Sequence, residues 1–260
     1  MYLFAKNARI DFTCLKFNNY SDKKVQFNFQ IHNFVIINKK YAMLKLTLDF
    51  LSQLKENNNK PWFEAHKAEF EKAKAEFAFF ITEVLKGIQS FDSKIEGLSA
   101  KDGIYRIYRD VRFSTDKTPY KSHFGAYFAE GGKKSFGPGY YIHVEPTGTF
   151  VGGGIYMPEA PILQKIRQEI DYNGEKLVKI LEKPSFKAFY PSLWEEGKLS
   201  RPPKGYEIDN PYIELLKLKS IVSTYALPSE MLLTNEVVNN TVNAFKELYT
   251  LQEFLREAIA

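Results

Sequence analysis

Residues 122–156 read SHFGAYFAEGGKKSFGPGYYIHVEPTGTFVGGGIY, and their reading decides the fold. Three runs rich in aromatic and β-branched residues, at about 122–129, 139–145 and 149–156, are separated by clusters of Gly, Pro, Ser and Thr. Such runs suit a pleated surface, and such clusters allow the chain to reverse. Pro146-Thr147-Gly148 is too short for a crossover, so the last two strands are antiparallel. A further strand is expected near 218–226, after an irregular Pro-containing connection over 191–211.

Outward from this centre the period changes to that of helices. Thr47 is placed to cap a helix over 48–56, with Leu51 and Leu54 inward. Pro61 suits the first turn of a long helix reaching about Gln89, whose apolar stripe includes Phe63, His66, Phe70, Phe77, Phe80 and Ile88. His66 reads as a core or boundary residue on that stripe. Helices are expected over 160–171 and 175–183, split by Asn173-Gly174, and from Ser229 onward. The expected class is α+β. A mainly antiparallel sheet from the middle of the chain is flanked by a long helix in the N-terminal half and by C-terminal helices.

With 260 residues, 44% hydrophobic and 15% aromatic, the chain can bury a large core and is not a disordered polymer. It has no run of 18 apolar residues, so no membrane-spanning helix is expected. One Cys, Cys14, excludes a disulfide framework and a Cys-rich zinc module. The +5 formal charge lies wholly in residues 1–42, with seven Lys/Arg against two acids; the remaining 29 Lys/Arg balance 29 acids. A neutral body gives no electrostatic footprint for nucleic acid, and a nucleic-acid partner is not expected. A cytoplasmic location is expected.

Residues 1–42 differ from the rest in texture. Asn, Lys, Ile, Phe and Tyr, the residues of AT-rich codons, fill 25 of the 42 positions. No secretory h-region or cleavage site is visible. Val25–Ile31 alternates like a strand. The segment is either a true N-terminal strand or a non-native, dispensable extension ahead of an initiator at Met43, and the charge and composition breaks favour the extension. A single domain is expected over 43–260.

The chemistry concentrates in residues 104–124, IYRIYRDVRFSTDKTPYKSHF. Arg106, Arg109 and Arg112 recur at spacing three, followed by Lys117 and Lys121. The aromatic and β-branched content of 104–113 favours a strand, with Arg106, Tyr108, Asp110 and Arg112 on one face and Arg109 on the other. Guanidinium groups are fixed forks of donors that match phosphate or carboxylate. Arg106, Arg109, Arg112, Lys117 and Lys121, joined by Lys204 and by Arg201 from the later connection, are therefore candidate binders of a small anionic ligand. Asp110, Asp116, Tyr120 and Tyr141 are candidate supports. The alternative is a structural salt-bridge network, with Asp116 capping a turn. The anion role is favoured for Arg106 and Arg112, the structural one for Arg109.

RIYRDVRFSTDKTPYKSHFG at 106–125, GYYIHVEP at 139–146, GGGIYMP at 152–158, LSRPPKGY at 199–206 and NNNKPWF at 57–63 together resemble the domain-of-unknown-function 2461 family, a widespread, mostly bacterial group. The resemblance runs from about Leu46 to the C-terminus, includes nothing before Met43, and implies no particular activity.

In Tyr141-Ile142-His143-Val144-Glu145 alternation places Tyr141, His143 and Glu145 on one face. His143 and Glu145 are a candidate acid–base pair; the bland alternative is a hydrogen-bonded His on a half-exposed sheet. Pairing of 143 with 152 and of 141 with 154 would set Gly opposite both side chains and leave a cleft. No metal or cofactor is expected. Gly131-Gly132-Lys133-Lys134-Ser135 lacks the first Gly and the Ser/Thr after Lys that a phosphate loop needs, and neither G-x-S-x-G nor H-E-x-x-H occurs. The leading function is a phosphate-type or other small-anion site, with or without catalysis. A non-catalytic protein- or nucleic-acid-interaction module is the alternative.

Overall fold

A computed structural model describes residues 43–260. The expected strand at 25–31, Cys14 and the proposed extension lie outside the described residues. Among the described residues four α-helices precede the sheet: α1 (Lys45–Glu56), α2 (Lys60–Ala65), α3 (Lys67–Gln89) and α4 (Ala100–Gly103). Strands β1 (Phe124–Ala129), β2 (Gly139–Val144) and β3 (Phe150–Ile155) follow, then α5 (Ala160–Glu182), α6 (Pro184–Phe189), α7 (Ile213–Leu216), β4 (Ile221–Ala226) and α8 (Glu236–Ile259). The sheet is antiparallel throughout, in the order β1-β2-β3-β4, so the α+β class is as expected.

The sheet has two unlike faces. Phe124, Ala126, Phe128, Tyr140, Ile142, Val144, Val151 and Ile155 point to the core, where they meet the apolar stripes of α3 and α8. The opposite face carries Tyr127, Tyr141, His143, Phe150 and Thr224, all half-buried. The alternation of period two that set this division was legible in the sequence.

Local details depart from expectation. The long helix breaks at His66 (φ −107°, ψ 26°), where the ring stacks on Trp62 at 4.1 Å and its Nδ1 lies 2.8 Å from the Trp62 carbonyl. Thr47 does not cap α1. It sits in the helix and its hydroxyl bonds Glu76 at 2.8 Å and the Ala73 carbonyl at 3.1 Å. The break expected at Asn173-Gly174 is present, by contrast: Asn173 has non-helical angles (φ −126°, ψ 26°), and α5 is two helical stretches joined across that kink.

Residues 104–113 form no strand. Bridges at Ile104↔Ala126 and Tyr108↔Tyr120 are isolated, and the chain beyond Arg109 turns into a loop braced by its own charged side chains. The β2–β3 register also differs from expectation by two residues. Tyr141 faces Gly152, and His143 faces Phe150. A shift of two keeps every side chain on its expected face, but it removes the supposed cleft. A Cβ on Gly152 would lie 2.5 Å from the Ser223 carbonyl. Gly152 and Gly154 admit the backbone of β4, Gly153 admits the Gly139 carbonyl of β2 and the Gln252 side chain, and none leaves open space.

Candidate functional site

The motif NNNKPWF fixes the edge of the site. Asn59 caps α2 by accepting the Trp62 N–H at 3.0 Å. Asn58 grips the backbone of Tyr120 in both directions, at 2.9 and 3.1 Å, and Phe63 stacks on the Tyr120 ring at 4.0 Å. Tyr120, an expected site residue, is therefore a core residue, 3% exposed. With 120 held, the irregular segment 104–109 runs beside the chain entering β1. Tyr105 N–H bonds the Gly125 carbonyl at 2.9 Å, and Lys121 N–H bonds the Ile107 carbonyl at 2.8 Å.

The three Arg do not converge. Arg109 reaches inward to Asp116 and to the Thr118 hydroxyl, and its Nη1 lies 3.3 Å from the Thr118 carbonyl. The Thr118 N–H, then Arg109, hold the Asp116 carboxyl down at about 2. Arg112 forks onto Asp110 at 2.6 and 2.9 Å, in solvent. Lys117 donates to the Val111 carbonyl at 3.0 Å. These contacts brace the loop 110–118 against itself. Lys204 and Arg201 are exposed and have no hydrogen bond or ion pair among the described residues.

A different group assembles on the open face of the sheet. His123, just before β1, stacks on His143 of β2 with ring centroids 4.2 Å apart, and His143 stacks on Phe150 of β3 at 4.8 Å. The Tyr141 hydroxyl is 3.1 Å from His143 Nδ1, and Glu145 Oε2 is 3.8 Å from His143 Nε2. Burial pushes the Tyr141 phenol up to about 12, so it is protonated at neutral pH and can donate to Nδ1. The ring proton is then on Nε2, toward Glu145.

Burial, then the neighbouring His143 and Lys121, push His123 down to about 4; burial also lowers His143. Both imidazoles are neutral at pH 7; the acceptor nitrogen of His143 is already engaged by Tyr141, whereas the His123 ring has no hydrogen-bond partner among the described residues and keeps a nitrogen free to accept a proton. Lys121 spans the Tyr105 ring at 5.3 Å, and burial together with Arg106 lowers its ammonium below the usual lysine range. Arg106 is exposed and without a partner among the described residues. Glu145 is the acid beside the histidine pair, and the Asp110 carboxylate feels the Arg106 charge from the adjoining loop.

Of the residues expected from sequence, Tyr141, His143, Glu145, Lys121 and Arg106 lie at or beside this shelf. His123, Tyr105, Tyr127 and Phe150 were missed. The signal for His123 was present, because 121, 123, 125 and 127 alternate onto one face. What was not legible is the β1–β2 register across the loop 130–138, which sets His143 opposite Gly125 and beside His123. No group of three or more His, Cys, Asp or Glu among the described residues is arranged to hold a metal ion. A depression of about 530 Å³ lies beyond β4, two strands from His143.

The depressed His123 has a stability signature. Its folded value, about 4, is below its ordinary 6.5, so the unfolded chain binds the extra proton between those limits. The contribution is full above pH 6.5 and is lost as pH falls from 6.5 toward 4. Urea unfolding at steps across that window is expected to show wild-type stability falling with acid, and His123→Gln to flatten the fall. Parallel curves for the two proteins would place the acid sensitivity elsewhere.

Among the described residues no helix is long and apolar enough to cross a membrane. No curated protein and no solved structure matches the chain. The family model described as "Conserved hypothetical protein (DUF2461)" matches residues 46–254, which include α2 with its Asn cap, the braced loop, all four strands and the stacked histidines. The chain belongs to that family.

Proposed function

We propose that the open face of the sheet binds a small anionic metabolite of phosphate type and positions it for proton transfer. The observation that carries this reading is the stacked pair His123–His143, neutral and half-buried, beside the unpaired cations Lys121 and Arg106. An anion between Arg106 and Lys121 relieves their mutual repulsion and raises the basicity of the neighbouring imidazoles. His143, held at Nδ1 by Tyr141 and with its Nε2–H toward Glu145, is the candidate proton donor, and His123, whose ring has no hydrogen-bond partner among the described residues, is the candidate base. Arg109 and Asp116 hold the loop, and Arg112 with Asp110 lies at its exposed rim.

Thermal shift tests the proposal. Inorganic phosphate is expected to raise the melting temperature of the full chain more than chloride at equal ionic strength, because a ligand of the native state alone stabilises it by about 2.7 kcal/mol at a hundred times its dissociation constant. Lys121→Gln is expected to abolish the difference, and Arg112→Ala to retain it. Equal shifts with phosphate and chloride would sink the anion site.

A second reading rests on Phe113, 97% exposed at the tip of the braced loop with the Arg112 guanidinium 5.9 Å from its ring. A rigid loop presenting an aromatic residue and an Arg suits a protein-interaction module without chemistry. Under it, phosphate has no specific effect and the histidines are dispensable.

A further inference from the structure

The edge of the sheet at β4 carries a separate feature. Leu227 N–H bonds the Thr149 carbonyl of the β3 side at 3.0 Å. Antiparallel pairing alternates, so the backbone groups of Val222, Thr224 and Ala226 point away from β3. The Val222 carbonyl is taken by the Trp194 N–H at 2.8 Å. There the covering segment leaves the edge. The Ser192 carbonyl turns aside and accepts the Ser223 hydroxyl at 2.6 Å. Thr224 and Ala226 are left with outward N–H and C=O groups that have no partner among the described residues. The notch so formed is the depression of about 530 Å³, lined by Pro191, Leu193, Trp194, Glu195, Glu196 and Thr224.

The lining is acidic and aromatic. Glu195 is engaged by Lys198, whereas Glu196 is exposed and has no ion-pair partner among the described residues. Trp194, 38% exposed, is the strongest class of ring for attracting a cation. An uncovered strand edge is a template for another strand, usually blunted by charge, Pro or a covering loop. Here the covering loop stops short of the last two outward residues.

We infer that the Thr224–Ala226 edge accepts an extended peptide segment as an added strand, with a Lys or Arg side chain of that segment entering the notch between Trp194 and Glu196. Backbone pairing supplies general affinity and the notch supplies selectivity, as in strand-addition domains. Glu195 and Glu196 set the charge of the occupant, and they disfavour the same edge of a second copy, which would bring like charges together.

The experiment uses the full chain and two blocked peptides, acetyl-Thr-Val-Lys-Val-Thr-amide and its Lys→Glu counterpart. Calorimetric titration is expected to show the Lys peptide binding at least about tenfold tighter, the size of one ion pair with a cation–π contact. Amide exchange at Thr224 and Ala226 is expected to slow when the Lys peptide is bound. Methylating the backbone nitrogens of the peptide leaves the protein untouched and is expected to abolish binding. Glu196→Gln, at an exposed position, is expected to remove the preference for Lys. Equal affinity for the two peptides, unchanged exchange at both amides, full binding by the methylated peptide, or dimerisation of the chain through this edge would each overturn the inference. None of these readouts depends on phosphate or on the histidine pair.

Discussion

Replacing Gly154 with Ala is expected to cost about 4 kcal/mol or more in denaturant unfolding. Gly154 holds φ at +117°, a conformation that L side chains rarely adopt, and a Cβ there would lie 2.0 Å from the Ile221 carbonyl oxygen and 3.1 Å from the Val222 Cα. Both neighbours are β4 backbone, which cannot swing aside as a side chain would. The strand pair β3–β4 must separate locally, and Ile155 and Ile221, both buried, lose their packing with it. Gly97 is the control. It too has positive φ (+79°), but nothing lies within 4 Å of its Cβ position. Gly97→Ala is therefore expected to cost only the left-handed penalty, about 1–2 kcal/mol. If the two variants unfold at the same denaturant concentration, close approach of β4 is not what the glycine serves.

The second large effect is expected at Arg256. Asp92 follows α3 with no exposed surface, and its carboxylate receives Arg256 Nη2 at 2.7 Å, Arg256 Nη1 at 3.1 Å, the Tyr140 hydroxyl at 2.8 Å and the Lys94 N–H at 3.1 Å. The pair ties the end of α3 to α8 and to the core face of β2. Burial, then the Asp92 charge, holds the Tyr140 phenol far above its usual range, so it donates at all accessible pH. Arg256→Ala removes the compensating charge and leaves the carboxylate stranded, which costs about 3–5 kcal/mol in buried pairs. Adding Asp92→Asn removes the stranded charge while keeping an acceptor for Tyr140 and Lys94, so the double variant is expected to regain most of the loss. Calorimetry of the two variants and the wild type decides it. A single variant that melts with the wild type would mean that water already serves the pair.

The Asp92–Arg256 bond also shows what sequence reading leaves out. The partners are 164 positions apart, and no periodicity marks either as special. Asp92 reads as a helix-terminal residue and Arg256 as a surface charge on an amphipathic helix. By contrast, the α+β class, the order of the strands along the chain and the division of each strand into a core and an open face follow from alternation and turn chemistry alone. So did the grouping of Tyr141, His143 and Glu145, which are two residues apart on one strand.

The same limit explains the candidate site. Spacing in the sequence placed Arg106, Arg109 and Arg112 together, on the assumption of a strand over 104–113. The tertiary structure turns that segment into a loop after Arg109, because Arg109 finds Asp116, Thr118 and Ser114 within its own loop and Arg112 finds Asp110. Local ion pairing and the pull of Tyr120 into the core outweigh strand propensity there. His123 came into the site through the register of β1 on β2, and Gly152 and Gly154 proved to be close-approach positions through the register of β3 on β4.

What the sequence by itself determined is the class of the fold, the identity of the faces and the family. The first two rest on periods of two and 3.6 residues, which any stretch of chain carries within itself; the family rests on the motifs at 57–63, 106–125, 139–146, 152–158 and 199–206. Only the tertiary structure decided which charges are free and which are spent, which histidines meet, and which strand edge stays open. Those outcomes depend on register and loop closure between distant segments, and a register slip of two residues preserves every local pattern while changing every neighbour.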